Sequence, residues 1–423
     1  MILFLYLCFR NFRSARFRFR GFQLIHCMSS TDSTPSPLAP LDDEDLLQEI
    51  LLRLPAQPSS LPRASLVSPR WRRILSDPKF LTRFRRHHKK PPLLGFFAEE
   101  WGMPTVFKPV DPPYHIPAER FSVPKPSKPY ASWDLLGCRH GLAVLVNMWQ
   151  HRQIIVWDPL SGQQHSVNFP PGLHNNEVAF WHASVMCADD QDGHVHGDCF
   201  SSPFKLVLIW VVRHKQPFAC LYESASGGWG EIVFTDITDR IYFISPGVLV
   251  GNELCWLLSG VGVLVFGLAD QNLRVIKTPS CITLSFGSVQ LIRTKDSRLG
   301  LAYLSELSIQ LWEQKPDYDG VVRWVLLHTT IQLEDLFPQM FMDEESVRIK
   351  GYNDKYVKIN GYDENTNVIV LSTIRGDFTL EVDMMEIKHI IKRNFKSSNI
   401  YYPYANFYTA AKGVGWKWLD LEL

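Results

Sequence analysis

Apolar residues along this chain follow two different rhythms. Between Asp42 and Pro78 they recur at helical spacing, with Leu46, Ile50 and Leu54 every four residues and Leu47 and Leu51 widening the stripe. The acids Asp42, Asp43, Glu44 and Asp45 stand at its start, where they supply capping oxygens and meet the positive end of the helix dipole; Pro55 stops the helix. Ser59-Ser60 predicts the cap of a second short helix that carries Leu61, Ala64 and Leu66 and tolerates Pro62 in its first turn. Ser68-Pro69 is a cap and first-turn pair for a third helix with Trp71, Ile74 and Leu75, and Ser76-Asp77-Pro78 marks a further boundary. A module of fewer than 40 residues with this much apolar surface cannot bury it alone. That imbalance points to docking.

From Leu93 onward the rhythm becomes short β-branched and aromatic runs broken by Gly, Asp, Asn and Pro. They fall into sets of four: 135–139, 142–147, 153–157 and 164–169; then 178–187, 205–212, 218–223 and 229–234. A third set is 248–250, 253–258, 263–266 and 272–277, a fourth 289–293, 299–304, 308–312 and 323–329, and a fifth 347–351, 356–359, 368–372 and 378–382. The third member of a set tends to end in an aromatic beside a turn or polar residue, and Trp157, Tyr222, Phe266 and Trp312 are separated by 65, 44 and 46 residues. Four strands per period of about 45 residues is the mark of a β-propeller, whose blades need neighbours on both faces. Leu93–Phe97 and Tyr401–Tyr408 are left over at opposite ends. If they share a sheet they close the ring and remove its open edges. Six blades are expected, with seven as the alternative.

The segments LLQEILLRLP, SLPRASLVSPRWRRIL and SDPKFLTRF resemble the F-box in the form common among plant F-box proteins. Asp42-Asp43 replaces the Leu-Pro that often precedes the first helix in that family, and Ser68 stands where a Cys is frequent. The resemblance implies that Leu46, Leu47, Ile50, Leu51, Leu54, Pro55, Leu66, Val67 and Trp71 form the surface that meets a Skp-type adaptor and, through it, a cullin scaffold. PPLLGFF, LLGCRHGLAVL, IIVWDPLSGQ and YYPYANFYTA resemble the β-propeller region of F-box proteins, particularly of grasses. The expected fold class is therefore mixed, a small all-α module followed by an all-β propeller. The expected layout is a disordered leader over 1–40, of which 1–27 is an upstream extension, the F-box with a trailing basic helix over 41–90, the propeller over 91–412 and a tail over 413–423.

Composition narrows the partners. The net charge of +1 offers no bulk attraction for nucleic acid or anionic membrane. Eight cysteines without a CxxC pair fit a reducing cytoplasm or nucleus. The opening 31 residues carry five arginines and no acid, but their charge follows the apolar run, which is too short to span a bilayer, so they read as neither a secretory signal nor a membrane anchor. The basic run RFRRHHKK reads as a solvated helix end.

No GxSxG elbow, phosphate loop or HExxH occurs, and Gly260-Val261-Gly262 has no helix after it. CADDQDGHVHGDC (187–199) tempts a metal reading through Cys187, His194, His196 and Cys199, or through Asp189, Asp190 and Asp192. A calcium loop in the required phase would place Ala188 and Cys199 at ligand positions. The zinc spacing matches no common finger, although a Cys2His2 site is sterically allowed. The expectation is a polar loop between strands, with no metal, cofactor or catalytic residue assigned. His140 reads as a turn residue, and Trp101, Trp149 and Trp181, in or near loops, as candidates for a recognition face. The function implied is that of a non-catalytic receptor that holds an unknown protein target for a ubiquitin ligase. The alternative is a propeller acting as a hydrolase or small-ligand sensor, which paired acids facing the central channel would favour.

Overall fold

The computed structural model describes residues 43–100, 104–110, 118–125, 133–147, 153–173, 178–189, 194–197, 199–212, 216–237, 245–305, 308–336, 357–373, 376–392 and 399–409. The leader, the strand expected at 347–351, the 413–423 tail, Trp101, Trp149, Asp190 and Asp192 lie outside them. None of the described helices is long and apolar enough to cross a membrane.

Helix α1 (Glu44–Leu52) is capped by Asp43, whose Oδ1 accepts the backbone N–H groups of Asp45 at 2.9 Å and Leu46 at 3.2 Å. Its buried stripe is Leu47 and Leu51, whereas Leu46 is exposed. The apolar face is thus rotated by about one position from the expected Leu46-Ile50-Leu54 line, and Leu54 falls beyond the helix end, in the approach to Pro55. Helix α2 (Ser60–Ser65) follows Ser59, whose backbone is already helical and whose side chain makes no capping bond, so the expected serine cap is replaced by a turn that leads straight in. In front of α3 (Pro69–Ser76), Ser68 Oγ accepts the Trp71 N–H at 3.2 Å. In front of α4 (Pro78–His88), Asp77 Oδ1 accepts the Lys79 N–H at 2.9 Å. Arg85, Arg86, His87 and His88 occupy the last turn of α4, where cations meet the negative end of the dipole. Arg83 returns to Glu49 at 2.6 Å, and His88 Nε2 lies 3.1 Å from the Leu52 carbonyl.

The rest of the described chain forms six sheets, all paired antiparallel. Blade 1 joins β1 (Leu93–Glu100) and β2 (Val106–Pro109) to β24 (Asn399–Ala405) in the order β2-β1-β24. Blade 2 is β3 (Asp134–Arg139), β4 (Leu142–Asn147), β5 (Gln153–Trp157) and β6 (Gln164–Asn168). In blade 3, β7 (Val178–Cys187), β8 (Phe204–Val212) and β9 (Pro217–Glu223) are followed by two short strands, β10 (Gly228–Trp229) and β11 (Val233–Phe234), which both pair with β9. Blade 4 is β12 (Val248–Val250), β13 (Glu253–Leu258), β14 (Gly262–Gly267) and β15 (Leu273–Ile276). Blade 5 is β16 (Val289–Arg293), β17 (Leu299–Ser305), β18 (Ser308–Pro316) and β19 (Val322–Gln332), which runs into a short helix, α5 (Leu333–Leu336). Blade 6 is β20 (Val357–Asp363), β21 (Val368–Thr373), β22 (Gly376–Glu381) and β23 (Glu386–Lys392).

Six sheets make six blades, and the two leftover ends share blade 1. The last blade departs from the expected set by one strand. The 356–359 run is its inner strand β20, and its outer strand is Glu386–Lys392, where Ile387, Ile390 and Ile391 are spaced like a helical stripe and so mask a strand. Trp181, expected in or near a loop, lies within β7 opposite Trp210.

Apolar layers fill each gap between blades. Phe97, Leu145 and Trp157 belong to the layer between blades 1 and 2, Val144 and Leu206 to that between 2 and 3, and Ile209 and Trp256 to that between 3 and 4. One layer runs through blades 4, 5 and 6, and Phe96, Val370 and Tyr401 join blade 6 to blade 1. Equivalent tryptophans tie outer strands together. Trp229 Nε1 donates to the Asn168 carbonyl at 2.7 Å and Trp324 Nε1 to the Lys277 carbonyl at 2.8 Å.

The β13–β14 hairpin separates two reasons for glycine. Gly260 has φ +70° with open space around a would-be Cβ, whereas at Gly262, φ +145°, that Cβ would lie 2.3 Å from the Ile276 carbonyl oxygen. Replacing Gly260 by Ala is expected to cost about 1 kcal/mol, and Gly262 by Ala roughly 3 kcal/mol because steric overlap adds to backbone strain. Urea unfolding of the two variants measures the difference, and equal losses would contradict it.

Candidate functional site

The helical module presents part of its apolar set to solvent. Leu66 and Val67, between α2 and α3, are 59% and 56% exposed, and Leu46 is 49% exposed. Pro55 is exposed as well, Ile50 and Leu54 are half-buried, and Leu47, Leu51 and Trp71 are buried. The nine residues singled out from sequence therefore divide into an exposed group, a half-buried group and a group that packs the interior. Leu66 and Val67 sit where the chain leaves α2, and the Leu66 N–H is held by the Arg63 carbonyl at 3.1 Å. Their exposure follows from this turn.

A second candidate region is the centre of the ring. The innermost strands of all six blades converge there, through residues such as Gly137, Ser184, Val248, Gln290, Tyr362 and Tyr404. The cavity they leave is about 30 Å³, enough for a single water. Arg139, at the end of β3, fills much of the space. Its Nε lies 2.5 Å and its Nη2 3.0 Å from the two carboxylate oxygens of Glu364, and it also donates to Ser184 Oγ and, at 3.0 Å, to the Gly247 carbonyl. Glu364 accepts the Leu249 N–H at 2.9 Å, and its own carbonyl accepts Arg293 Nη2 at 2.5 Å. Beside it, Asp363 is wholly buried, and burial pushes its carboxyl above the usual range. Its oxygens are engaged in the turn, by the Thr366 hydroxyl at 2.5 Å and the Thr366 N–H at 3.1 Å. The channel thus carries a bidentate ion pair and a turn-capping acid, an arrangement that holds strands in place. Sequence reading passed over Arg139 and Glu364 because 225 residues separate them.

Elsewhere, burial raises the carboxyls of Glu99 and Asp134, and for Glu99 the charge of Asp134 adds to the effect. Tyr402 donates to Glu99 Oε2 at 3.3 Å. His140 occupies a turn at φ +54°, as expected, and its Nδ1 accepts the Cys187 N–H at 3.1 Å. Burial, followed by the neighbouring His196 and Arg139, holds its imidazole well below the ordinary histidine range, consistent with that acceptor role. The structure also gathers Cys187, His194, His196 and Cys199.

A helical module that matches the F-box, together with a six-bladed propeller, defines the class, an F-box protein with a β-propeller. The F-box domain matches residues 43–83. The family described as "F-box protein AT5G49610-like, beta-propeller" matches residues 134–405, well over half of the 423 residues, and the chain belongs to that family. No curated protein matches the sequence. Among solved structures, the extracellular domain of a one component system from B. thetaiotaomicron is similar at 16% identity over 66% of this chain, with a TM-score of 0.30; the match spans 38% of that chain. The Myceliophteria thermophila Cps50 (Swd1) β-propeller domain is similar at 11% identity over 73% of this chain and 88% of its own, with a TM-score of 0.36. A quinonprotein alcohol dehydrogenase-like protein from Bacteroides thetaiotaomicron gives 9% identity, 74% and 76% coverage and a TM-score of 0.35.

Two outcomes follow from these electrostatics. Arg139→Met strands the Glu364 carboxylate in the channel and is expected to cost about 3–5 kcal/mol in urea unfolding, of which adding Glu364→Gln recovers most; a loss below about 1 kcal/mol for the single variant would contradict the pairing. Asp134 is held above its unfolded value, so the stability it contributes is present while it is protonated and is lost as the pH rises through the folded value. Asp134→Asn should therefore raise Tm at pH 7, and the gain should shrink as the pH falls into the ordinary carboxylate range. Thermal unfolding across pH 4–8 checks both parts.

Proposed function

We propose that the protein is the substrate-recognition subunit of an SCF-type ubiquitin ligase, with the F-box docked on a Skp-type adaptor, the adaptor on a cullin scaffold and the propeller holding a protein target. The exposed pair Leu66 and Val67 within the matched F-box carries this reading, because apolar side chains left in solvent on a small helical module mark a covered surface. An F-box implies interaction with a Skp/cullin-type adaptor, and F-box and propeller together are typical of substrate-recognition modules. At the centre of the ring Arg139 and Glu364 pair with each other, which supports a receptor over a small-ligand sensor. Transfer itself belongs to other subunits, and a rigid ring contributes by holding a target lysine near the charged carrier. A cytoplasmic or nuclear site and a plant lineage belong to the same proposal, supported by eight scattered cysteines without a CxxC pair and by the likeness of the quoted segments to grass F-box proteins.

Leu66→Asp combined with Val67→Asp is expected to lower capture of a recombinant Skp-type adaptor by at least about 30-fold, the equivalent of one interface hot spot. Both side chains are exposed, so Tm should stay within about 2 °C of the parent. Undiminished capture by a folded variant would overturn the adaptor assignment. Comparison of ubiquitylated proteins in cells carrying the parent or the double variant identifies the target.

A further inference from the structure

The connection between β7 and β8 brings four side chains of metal-binding type to one point. Cys187 ends β7, and His194, His196 and Cys199 follow in the pattern Cys-x6-His-x-His-x2-Cys. One ligand atom from each lies within 4.8 Å of all the others. Cys187 Sγ is 3.4 Å and Cys199 Sγ 3.5 Å from His194 Nε2, and Cys199 Sγ is 3.6 Å from His196 Nδ1. A tetrahedron with Zn–S of about 2.3 Å and Zn–N of about 2.0–2.1 Å requires S···N separations of about 3.6 Å. All three observed distances fall near that value.

The sulfurs and ring nitrogens face one another across a common centre. His194 Nδ1 lies 3.1 Å from Asp189 Oδ2, which orients the ring so that Nε2 faces both sulfurs. A cation at the centre satisfies both thiolates and both imidazoles at once. The supporting groups are those expected around such a centre. Asp189 is held by Ser202 Oγ at 2.9 Å and donates its own N–H to Cys187 Sγ at 3.4 Å. The His196 ring lies parallel to that of His140, with centroids 3.5 Å apart. A carboxylate behind a ligating histidine is a recurrent orienting partner.

We propose that Cys187, His194, His196 and Cys199 form a structural zinc site with closed Cys2His2 coordination. Two thiolates neutralise the ion, and soft sulfur combined with imidazole in a tetrahedron selects zinc over calcium or magnesium. The site clamps the blade 3 connection to the end of the ring. At Gly197, φ +125°, an added Cβ would lie 3.0 Å from the Phe407 ring and 3.2 Å from Asn406 Oδ1, so the loop lies directly on the segment that follows β24. Phe407 in turn meets Phe84 of α4 edge-on, with centroids 6.0 Å apart. Zinc here ties blade 3, the ring closure and the trailing helix of the F-box into one layer.

Full-length protein, purified under reducing conditions without a metal resin, is expected to carry about one zinc per chain by mass spectrometric metal analysis. After stripping with a chelator, Tm should fall, and titration with Co2+ alone should give the visible absorption of a tetrahedral centre with two sulfur ligands. Cys199→Ser should change that spectrum, and Cys281→Ser, an exposed thiol elsewhere, should not. Asp189→Asn removes no ligand and is expected to keep the spectrum while weakening affinity by about 10–100-fold, which makes the test independent of any folding defect in a ligand variant. The proposal is overturned by a chain that binds neither metal, by a Co2+ spectrum indifferent to Cys199→Ser, or by a Cys187–Cys199 disulfide in freshly reduced protein.

Discussion

The pairing of β1 with β24 is the constraint on which the rest of the molecule depends. Seven register positions join Leu93–Glu100 to Asn399–Ala405, strands from opposite ends of the described propeller sequence. A blade buries its faces only against neighbours, so a ring left open exposes two apolar layers and two strand edges. The closure is reinforced by polar groups as well as apolar ones. Tyr401 of β24 donates to the wholly buried Asp377 of blade 6, and Lys108 of β2 donates to the Tyr401 hydroxyl at 3.1 Å. Because the β1–β24 pairing spans nearly the whole propeller sequence, its loop-closure entropy exceeds that of the hairpins within each blade.

Closure also brings distant charges together. Six inner strands meet beside the Arg139–Glu364 ion pair, which stiffens the centre of the ring. Arg139 reaches Ser184 in blade 3 and Gly247 before blade 4, and Glu364 lies in the turn between β20 and β21 of blade 6, so one ion pair links widely separated blades. A charge pair so deep contributes geometry more than net stability, since desolvation offsets much of its attraction. Loops and outer faces can vary without disturbing this centre.

Much of this was legible because turn chemistry and strand period act locally. Asp158 was readable as a turn residue after Trp157, and its carboxylate accepts the Leu160 N–H at 2.9 Å and the Ser161 hydroxyl at 2.5 Å. Ser68-Pro69 announced α3 in the same way. The misreadings arose where tertiary packing decides. Leu46 and Leu47 are indistinguishable by type, yet one is exposed and the other buried, which spacing alone does not decide. Ile387, Ile390 and Ile391 fit a helical stripe by spacing, yet the ladder from Gly376–Glu381 draws them into a strand. Arg139 and Glu364 find each other only after the ring closes.

The Cys187–Cys199 segment lies between these cases. Its residue types were conspicuous, but the spacing fitted no familiar finger because the scaffold here is the mouth of a β-hairpin instead of a strand-turn-helix unit. Cys187 is fixed by the last rung of β7, paired with Phe204, and the other three side chains are fixed by a loop resting on Asn406 and Phe407. A spacing rule encodes one backbone path between ligands, so a different path makes a different spacing compatible with the same tetrahedron. The position is consistent with the demands of closure. Asn406 and Phe407 immediately follow β24, the strand whose release would open the ring, so the loop that carries His194, His196 and Cys199 rests at the point of closure. Phe407 also meets Phe84, so the segment that follows the closing strand is part of the surface against which α4 rests.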